Sequence, residues 1–525
     1  MKGIRFTRLV LHSFFVLVLF SINSEELFSQ GHEAISITSL QNHMYSIASD
    51  DTEGRFTGTP GYKKAADYAV NFFRDAGLQP GWTNEKGELR YLQPVPFLRY
   101  SYDTNTFLTI QKNGNYETFA HSMDNFIVLT PGLKNSNFQA ASPVFIGYGI
   151  HEPENGWDDY EGVEVKGKWV ILLNGRPPVD LLPAFPVEIQ KEYAIKRSRD
   201  SLVYQALVKH KVAGVIALPS KNAIENWEYE APRKSHFKYL HYDESDVKLS
   251  ANSEIDLPKI LISPKLSEVL FKGQSFNPIL GKGNYHSYVI SNSEISISIN
   301  CKKESINCFN VVAILPGTDS NYKNEYITVC AHLDHLGKMG NRVYNGANDD
   351  ASGCVAILGA ANALKKTPTK RPVMFVLHTS EENNLKGSKH FMQYPPIPIN
   401  HIIVNINLEQ IGSKSREFPG IWAIGAPEFN FIFKKVSNSF QGTDFKYDLN
   451  ESYMNALSGK VDSWNYMKKG IPTVLLSSGG FPEHHKPEDK IDLIDFTHLY
   501  RVTNFLYLFI KELGNEMNQL RSFFR

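Results

Sequence analysis

The 525-residue chain predicts an α/β protein: a mixed, largely parallel sheet flanked by helices, with a mostly β segment inserted into it. Three observations predict this. After Glu294, short β-branched or apolar runs alternate with helical stretches, a pattern that builds a sheet covered by helices on both faces. From Pro143 to about Ile290 the runs are short, apolar and separated by polar, Pro-rich loops, which is a β texture. The length exceeds what a single core usually spans, and no internal repeat or low-complexity tract offers another architecture.

At the N-terminus, Lys2, Arg5 and Arg8 precede an apolar run at 9–22 that His12, Ser13 and Ser21 interrupt. That run is too short for a bilayer span of about 20 residues, and Ser24 and Ser29 offer cleavage sites, so residues 1–30 predict a signal peptide. The mature protein is then expected to be secreted or periplasmic, with no stable membrane span. Thr57-Gly-Thr-Pro-Gly forms a turn and cap for a helix whose Ala65, Tyr68, Ala69, Phe72 and Phe73 recur at helical spacing. The inserted segment carries Val144-Phe-Ile-Gly-Tyr-Gly, Lys168-Trp-Val-Ile-Leu-Leu and Gly214-Val-Ile-Ala-Leu. Beyond it, residues 326–331, 372–378, 402–408 and 473–476 read as strands, and 351–366 and 496–513 as helices.

Composition excludes some partners. Lys and Arg total 55 against 55 Asp and Glu, so no net field attracts nucleic acid or an anionic membrane. Four cysteines cannot staple a chain this long. Cys301 and Cys308 either pair or stay reduced, while Cys330 and Cys354 read as small buried residues.

Chemistry gathers after the strands. Residues 326–331 lead into His332-Leu-Asp334-His335, 372–380 into Glu381-Glu382, 402–408 into Glu409, and 473–478 into a loop holding His484-His485. Gly346-Ala-Asn-Asp349-Asp350 opens the helix near Ala351. Strand carboxyl ends of an open α/β sheet face one crevice, so these groups can converge there. Imidazoles with carboxylates and no thiolate suit zinc, with cobalt or manganese less suited, and one carboxylate can bridge two ions. A further carboxylate must shuttle the proton, and of the adjacent Glu381 and Glu382 only one needs to touch metal. Taken alone, His335 reads as a capped surface residue, Asp350 as the N-cap of its helix, and Asp462 as structural or substrate-lining.

The runs Ala331-His-Leu-Asp-His-Leu-Gly, Gly346-Ala-Asn-Asp-Asp-Ala-Ser-Gly, Ser380-Glu-Glu-Asn-Asn-Leu-Lys-Gly-Ser, Gly470-Ile-Pro and His485-Lys-Pro-Glu-Asp resemble the co-catalytic zinc aminopeptidase family, which includes relatives of glutamate carboxypeptidase and the transferrin receptor. The resemblance covers residues 300–512. The stretch from Glu53 to Tyr68 is similar to the start of that catalytic domain, and residues 146–218 resemble a protease-associated domain. It implies a zinc-exopeptidase fold split into 31–135 and 295–525, with a protease-associated domain at 136–294 bordering the cleft. It also implies two zinc ions bridged by Asp349, one bound by His332 and the other by Glu382 and His485. Glu381 would be the general base, and Asp334 would orient His332 through its ring N–H. Glu409, in Leu408-Glu-Gln-Ile-Gly, stands where the family usually has Asp, at the ion shared with His332; His484 stands where several relatives have Tyr and would stabilise the oxyanion. Peptides are the implied substrates and an aminopeptidase the implied activity. Carboxypeptidase, dipeptidase or glutaminyl cyclase chemistry, or a receptor-like relative without catalysis, are alternatives on the same site.

Overall fold

The strands Tyr326–His332, Val373–His378, Ile402–Glu409 and Thr473–Ser477 are apolar along most of their length because both of their faces are covered. In the computed structural model they lie side by side and parallel, in the order Val373–His378, Tyr326–His332, Ile402–Glu409, Thr473–Ser477. Antiparallel strands flank them, Cys301–Leu315 on one side and Ile421–Gly425 on the other, which makes the sheet mixed. The structure describes residues 33–516 except 131–134, 176, 178–184, 237–239, 242–256, 273, 275–285, 414–420, 426, 441–444 and 449–457. The expected signal peptide at 1–30 lies outside the described residues.

One face of the sheet is covered by the helix Ser352–Lys366, which packs against Phe496–Asn515 and Ile37–Ala48. Ser352–Lys366 is buried almost all round, as its Ala-rich sequence requires of a helix without a polar stripe. Lys365 and Lys366 close its last turn, where cations offset the helix dipole. On the other face, Phe391 and Met392 of the helix Lys386–Gln393 and Tyr466 of Ser463–Met467 pack on Val312, Cys330, Met374 and Val376. Thr59 caps the helix Pro60–Asp75, its hydroxyl accepting the Tyr62 N–H at 3.3 Å.

The chain divides into two units, one of Met1–Val95 with Asn307–Arg525 and one of Pro96–Ile306. Residues 96–135 and 295–306, which the sequence grouped with the flanking segments, fall in the second unit. That unit has its own mixed sheet, in which Val144–Phe145, Trp169–Leu173, Gly214–Leu218 and Lys259–Ile262 run parallel and Phe126–Val128 pairs antiparallel at the edge. Helices accompany its strands, among them Lys196–Lys209 and Pro264–Phe271. Cys301 and Cys308 stand in one extended strand, and all four thiols are free, so the possible disulfide is not formed. Among the described residues no helix is long and apolar enough to cross a membrane.

Candidate metal centre

The carboxyl ends of the four parallel strands bring the predicted residues to one place. His332 and Glu409 are the last residues of their strands. Glu381 and Glu382 come after Val373–His378 across Ser380, whose φ of +57° turns the chain. Asp349 lies in the turn before Ser352–Lys366. Its two oxygens face two different groups. Oδ1 is 3.2 Å from His332 Nε2, which in turn is 3.6 Å from Glu409 Oε2 and 4.0 Å from Glu381 Oε2. Oδ2 is 3.3 Å from His485 Nε2, which lies 2.9 Å from Glu382 Oε2. His484 also reaches it, with Nε2 3.1 Å from Asp349 Oδ2 and its ring centroid 3.8 Å from that of His485.

His335 belongs to this cluster, although the sequence read it as a surface residue. It is fully buried, and its Nδ1 stands 2.8 Å from Glu382 Oε1. The signal was its spacing three residues after His332, which a loop leaving a strand end can aim at the same point. Asp334 acts differently from expectation. The ring Nδ1 of His332 is 3.0 Å from the Asp334 main-chain oxygen and 3.9 Å from its carboxylate, so the backbone carbonyl takes the ring N–H. The Asp334 carboxylate accepts the Glu381 N–H at 3.0 Å instead, fixing the turn that carries both glutamates.

Further residues hold this geometry, and the sequence did not single out their roles. Asp350 accepts the Gly353 N–H at 3.3 Å, as a helix cap does, but also the N–H groups of Gln410 at 3.0 Å and His332 at 3.3 Å. It thereby ties three of the converging segments together. Asp489 accepts the N–H groups of Asn348 at 2.8 Å and Asp349 at 3.1 Å. Arg55, completely buried, donates to the carbonyls of Leu333 at 2.8 Å, Asn345 at 2.5 Å and Gly346 at 2.9 Å, and so joins the His332 loop to the Asp349 loop. Gly346 has φ +57°, and a Cβ there would lie 2.4 Å from the His335 ring and 2.2 Å from the Asp349 carbonyl oxygen.

The electrostatics separate the acids. Burial raises Glu381, and the neighbouring Glu409 and Glu382 carboxylates add to it, so its carboxyl stands well above the ordinary value. Burial acts on Glu382 in the same sense, but His485 and His335 outweigh it and hold the carboxyl down to about 2. Asp349 is likewise held well below its usual range, by His332, His484 and His485 against the cost of burial. His332 is raised well above its ordinary value, because the surrounding carboxylates overcome the desolvation that would lower it. Environments that push adjacent titratable groups apart mark acid–base division of labour.

These residues fit metal ions. Ligand atoms of His332, Asp349 and Glu409 lie within 4.8 Å of one another, as do those of Asp349, His484 and His485, and of His335, Asp349 and Glu382. Yet His335 Nε2 is buried without a partner, and the close approaches of His335 Nδ1, Glu382 Oε1 and Asp349 Oδ2 lack hydrogen-bond geometry. Buried polar atoms that converge without bonding one another leave their lone pairs for a cation. A cavity of about 610 Å³ opens on the centre, its lining including the apolar Leu385, Trp422, Ile424, Val461 and Leu475.

Comparison with known proteins agrees with this geometry. Residues 310–510 match the family model described as Peptidase family M28. Aminopeptidase YwaD of Bacillus subtilis (strain 168) is 24% identical over 178 residues, 32% of this chain and 37% of that protein. A probable leucine aminopeptidase 2 of Aspergillus oryzae is 29% identical over 120 residues, 23% of each chain. The alignments therefore span about a third and a quarter of those relatives. Among solved structures, an aminopeptidase from Aneurinibacillus sp. strain AM-1 aligns over 93% of this chain and 97% of its own, with TM-score 0.56 and 17% identity. A zinc aminopeptidase from Bacillus subtilis aligns over 92% and 97%, with TM-score 0.55 and 14% identity. Both share the fold.

Proposed function

From the match of residues 310–510 to peptidase family M28, we propose that the protein is an extracytoplasmic zinc exopeptidase, an aminopeptidase that removes N-terminal residues from peptides. The observation that carries this is Asp349, whose two oxygens face two separate sets of ligand atoms, 3.2 Å from His332 and 3.3 Å from His485. In this reading His332 and Glu409 hold one zinc, Glu382 and His485 hold the second, and Asp349 bridges them. Glu409 replaces the family's usual Asp without losing reach, since its Oε2 comes within 3.6 Å of His332 Nε2. This reach supports the catalytic reading over a non-catalytic relative. Residues 136–294 are proposed as a protease-associated domain.

Zinc at these positions would supply Lewis acidity to the scissile carbonyl and lower the pKa of a bound water. Glu381 takes the proton of the attacking water and returns it to the leaving amine. Glu381 stands 4.0 Å from His332 Nε2, at the edge of the ligand set, whereas Glu382 lies 2.9 Å from His485 Nε2 and 2.8 Å from His335 Nδ1, where a permanent ligand belongs. Asp334 places Glu381 by accepting its N–H. His484, whose side chain is 43% exposed, stands at the rim of the centre, where a ring N–H can donate to the developing oxyanion.

A panel of aminoacyl reporter substrates beside N-blocked peptides, with and without chelator, tests the assignment. Cleavage confined to free N-termini, abolished by chelator and restored by zinc, is the expected result. Cleavage of N-blocked peptides from their carboxyl ends would replace the aminopeptidase with a carboxypeptidase.

A further inference from the structure

The unit Pro96–Ile306 contains a second cavity, of about 270 Å³, whose lining includes a lysine on the inner face of its sheet. Lys259 opens the strand Lys259–Ile262 and is paired with Val215, which is paired in turn with Val170. Side chains in such a row point to one face of the sheet. Val170 and Val215 pack there with Val203, Ala206 and Leu207 of the helix Lys196–Lys209, so Lys259 stands where its row neighbours are valines. Its main chain is fixed, the N–H donating to Thr130 Oγ1 at 3.0 Å and the carbonyl accepting from Leu129 at 2.7 Å.

Arg199, whose side chain is only 13% exposed, lines the same cavity. Among the described residues the lining contains one carboxylate, Asp200, which is 56% exposed and 3.5 Å from Arg199. Among the described residues no carboxylate lies within ion-pair distance of Lys259 Nζ. Burial lowers the Lys259 pKa; Asp200 opposes this, and Lys196, Arg199 and Lys234 reinforce it. Among the described residues, two largely enclosed cations face one exposed acid, and enclosed charges in proteins are ordinarily paired. The rest of the wall is mixed, with Leu129, Ile150, Leu172 and Leu257 beside the polar Thr130, Asn174 and Tyr204.

We propose that this cavity is a binding site for a small organic carboxylate with an apolar tail, the carboxylate set between Lys259 and Arg199 and the tail against the leucine and isoleucine wall. The volume falls just under the roughly 300 Å³ at which drug-sized pockets begin, which restricts the ligand to a small molecule. A bare phosphate satisfies the cations but leaves Leu129, Ile150, Leu172 and Leu257 uncovered, so an amphipathic anion is the better complement.

Calorimetric titration and thermal melting of the full-length zinc-loaded protein test this with hexanoate and, separately, inorganic phosphate. Hexanoate binds saturably at one site per chain, and phosphate binds more weakly. Lys259→Met raises the hexanoate dissociation constant by about tenfold or more, the loss of about 1.4 kcal/mol. The same substitution raises the melting temperature of the anion-free protein, because it removes a largely enclosed charge that has no partner among the described residues. Arg199→Gln weakens hexanoate in the same direction and carries the test if circular dichroism shows Lys259→Met to be unfolded. Absence of hexanoate binding, equal binding by Lys259→Met, or tighter phosphate binding overturns the proposal. So does a lower anion-free melting temperature in Lys259→Met, which would mean that a carboxylate of the chain already pairs with Lys259. Peptide turnover is not read, so the outcome is independent of the peptidase assignment.

Discussion

The two units share a plan but gather different charges in their cavities. Each has parallel strands with helices packed on them, yet the first collects Asp334, Asp349, Asp350, Glu381, Glu382 and Glu409 in one crevice, whereas the second encloses Lys259 and Arg199. The difference lies in the residues just beyond each strand. After Gly214–Leu218 and Lys259–Ile262, Ser220 and Ser263 spend their hydroxyls capping helices, accepting from Ala223 at 3.3 Å and Leu266 at 3.0 Å. After Tyr326–His332 and Ile402–Glu409, the polar groups instead face the crevice and one another. Parallel architecture creates a place where side chains can meet, and the residues at the strand ends decide whether they do.

The largest effect should come from the first unit's proton carrier. Glu381→Gln keeps zinc but lowers kcat by about 10² to 10⁴, the usual contribution of a general base; near-normal turnover with full metal content would remove Glu381 from that role. Next comes the buried clamp. Arg55→Met orphans the carbonyls of Leu333 and Asn345, while Gly346 keeps the Ala351 N–H, and should destabilise the first unit by about 2 kcal/mol or more, at roughly 1 kcal/mol per lost acceptor. Urea denaturation followed by a probe in that unit measures it.

Asp489→Asn should weaken zinc binding about 10- to 100-fold while leaving the fold intact, since it disturbs only the N–H groups that set the Asp349 turn. Competition with a chelator of known affinity reads this directly, and unchanged affinity would mean that the turn is held by other contacts. Gly214→Ala addresses the second unit alone. Its Cβ would lie 2.6 Å from the Trp169 ring, an overpacking that should cost about 1 to 3 kcal/mol without altering zinc content.

The smallest effect expected is a pH dependence in the first unit. His378 is buried between Asn310 and Tyr466, and desolvation pushes its pKa from 6.5 down to about 3. The unfolded chain takes up a proton below pH 6.5 that the folded protein refuses. Stability is therefore intact above pH 6.5 and falls by about 1.4 kcal/mol per unit as the pH drops toward 3. Comparing urea midpoints of the wild type and His378→Gln at pH 7.5 and 5.5 isolates this contribution, and parallel losses in both proteins would assign it elsewhere.

Much of the first unit was legible because its signals are local. The four central strands begin and end within a residue of their apolar runs, since a strand buried on both faces must be apolar throughout. The helix expected at 496–513 runs Phe496–Asn515, with Asp495 accepting the His498 N–H at its start. His335, Arg55 and Asp489 were less legible, because what they do depends on partners far away in the chain. No spacing rule links Arg55 to Gly346 or Asp489 to Asp349.

The sequence by itself determined the layered α/β plan and the residues able to hold metal, because apolar periodicity and side-chain chemistry are properties of neighbouring residues. Only the tertiary structure decided that Asp349 faces two clusters at once, that a backbone carbonyl rather than the Asp334 carboxylate meets the His332 ring, and that a lysine stands on the inner face of the second sheet. Each of these depends on where separate strands place their ends, and that is set by packing across the whole sheet.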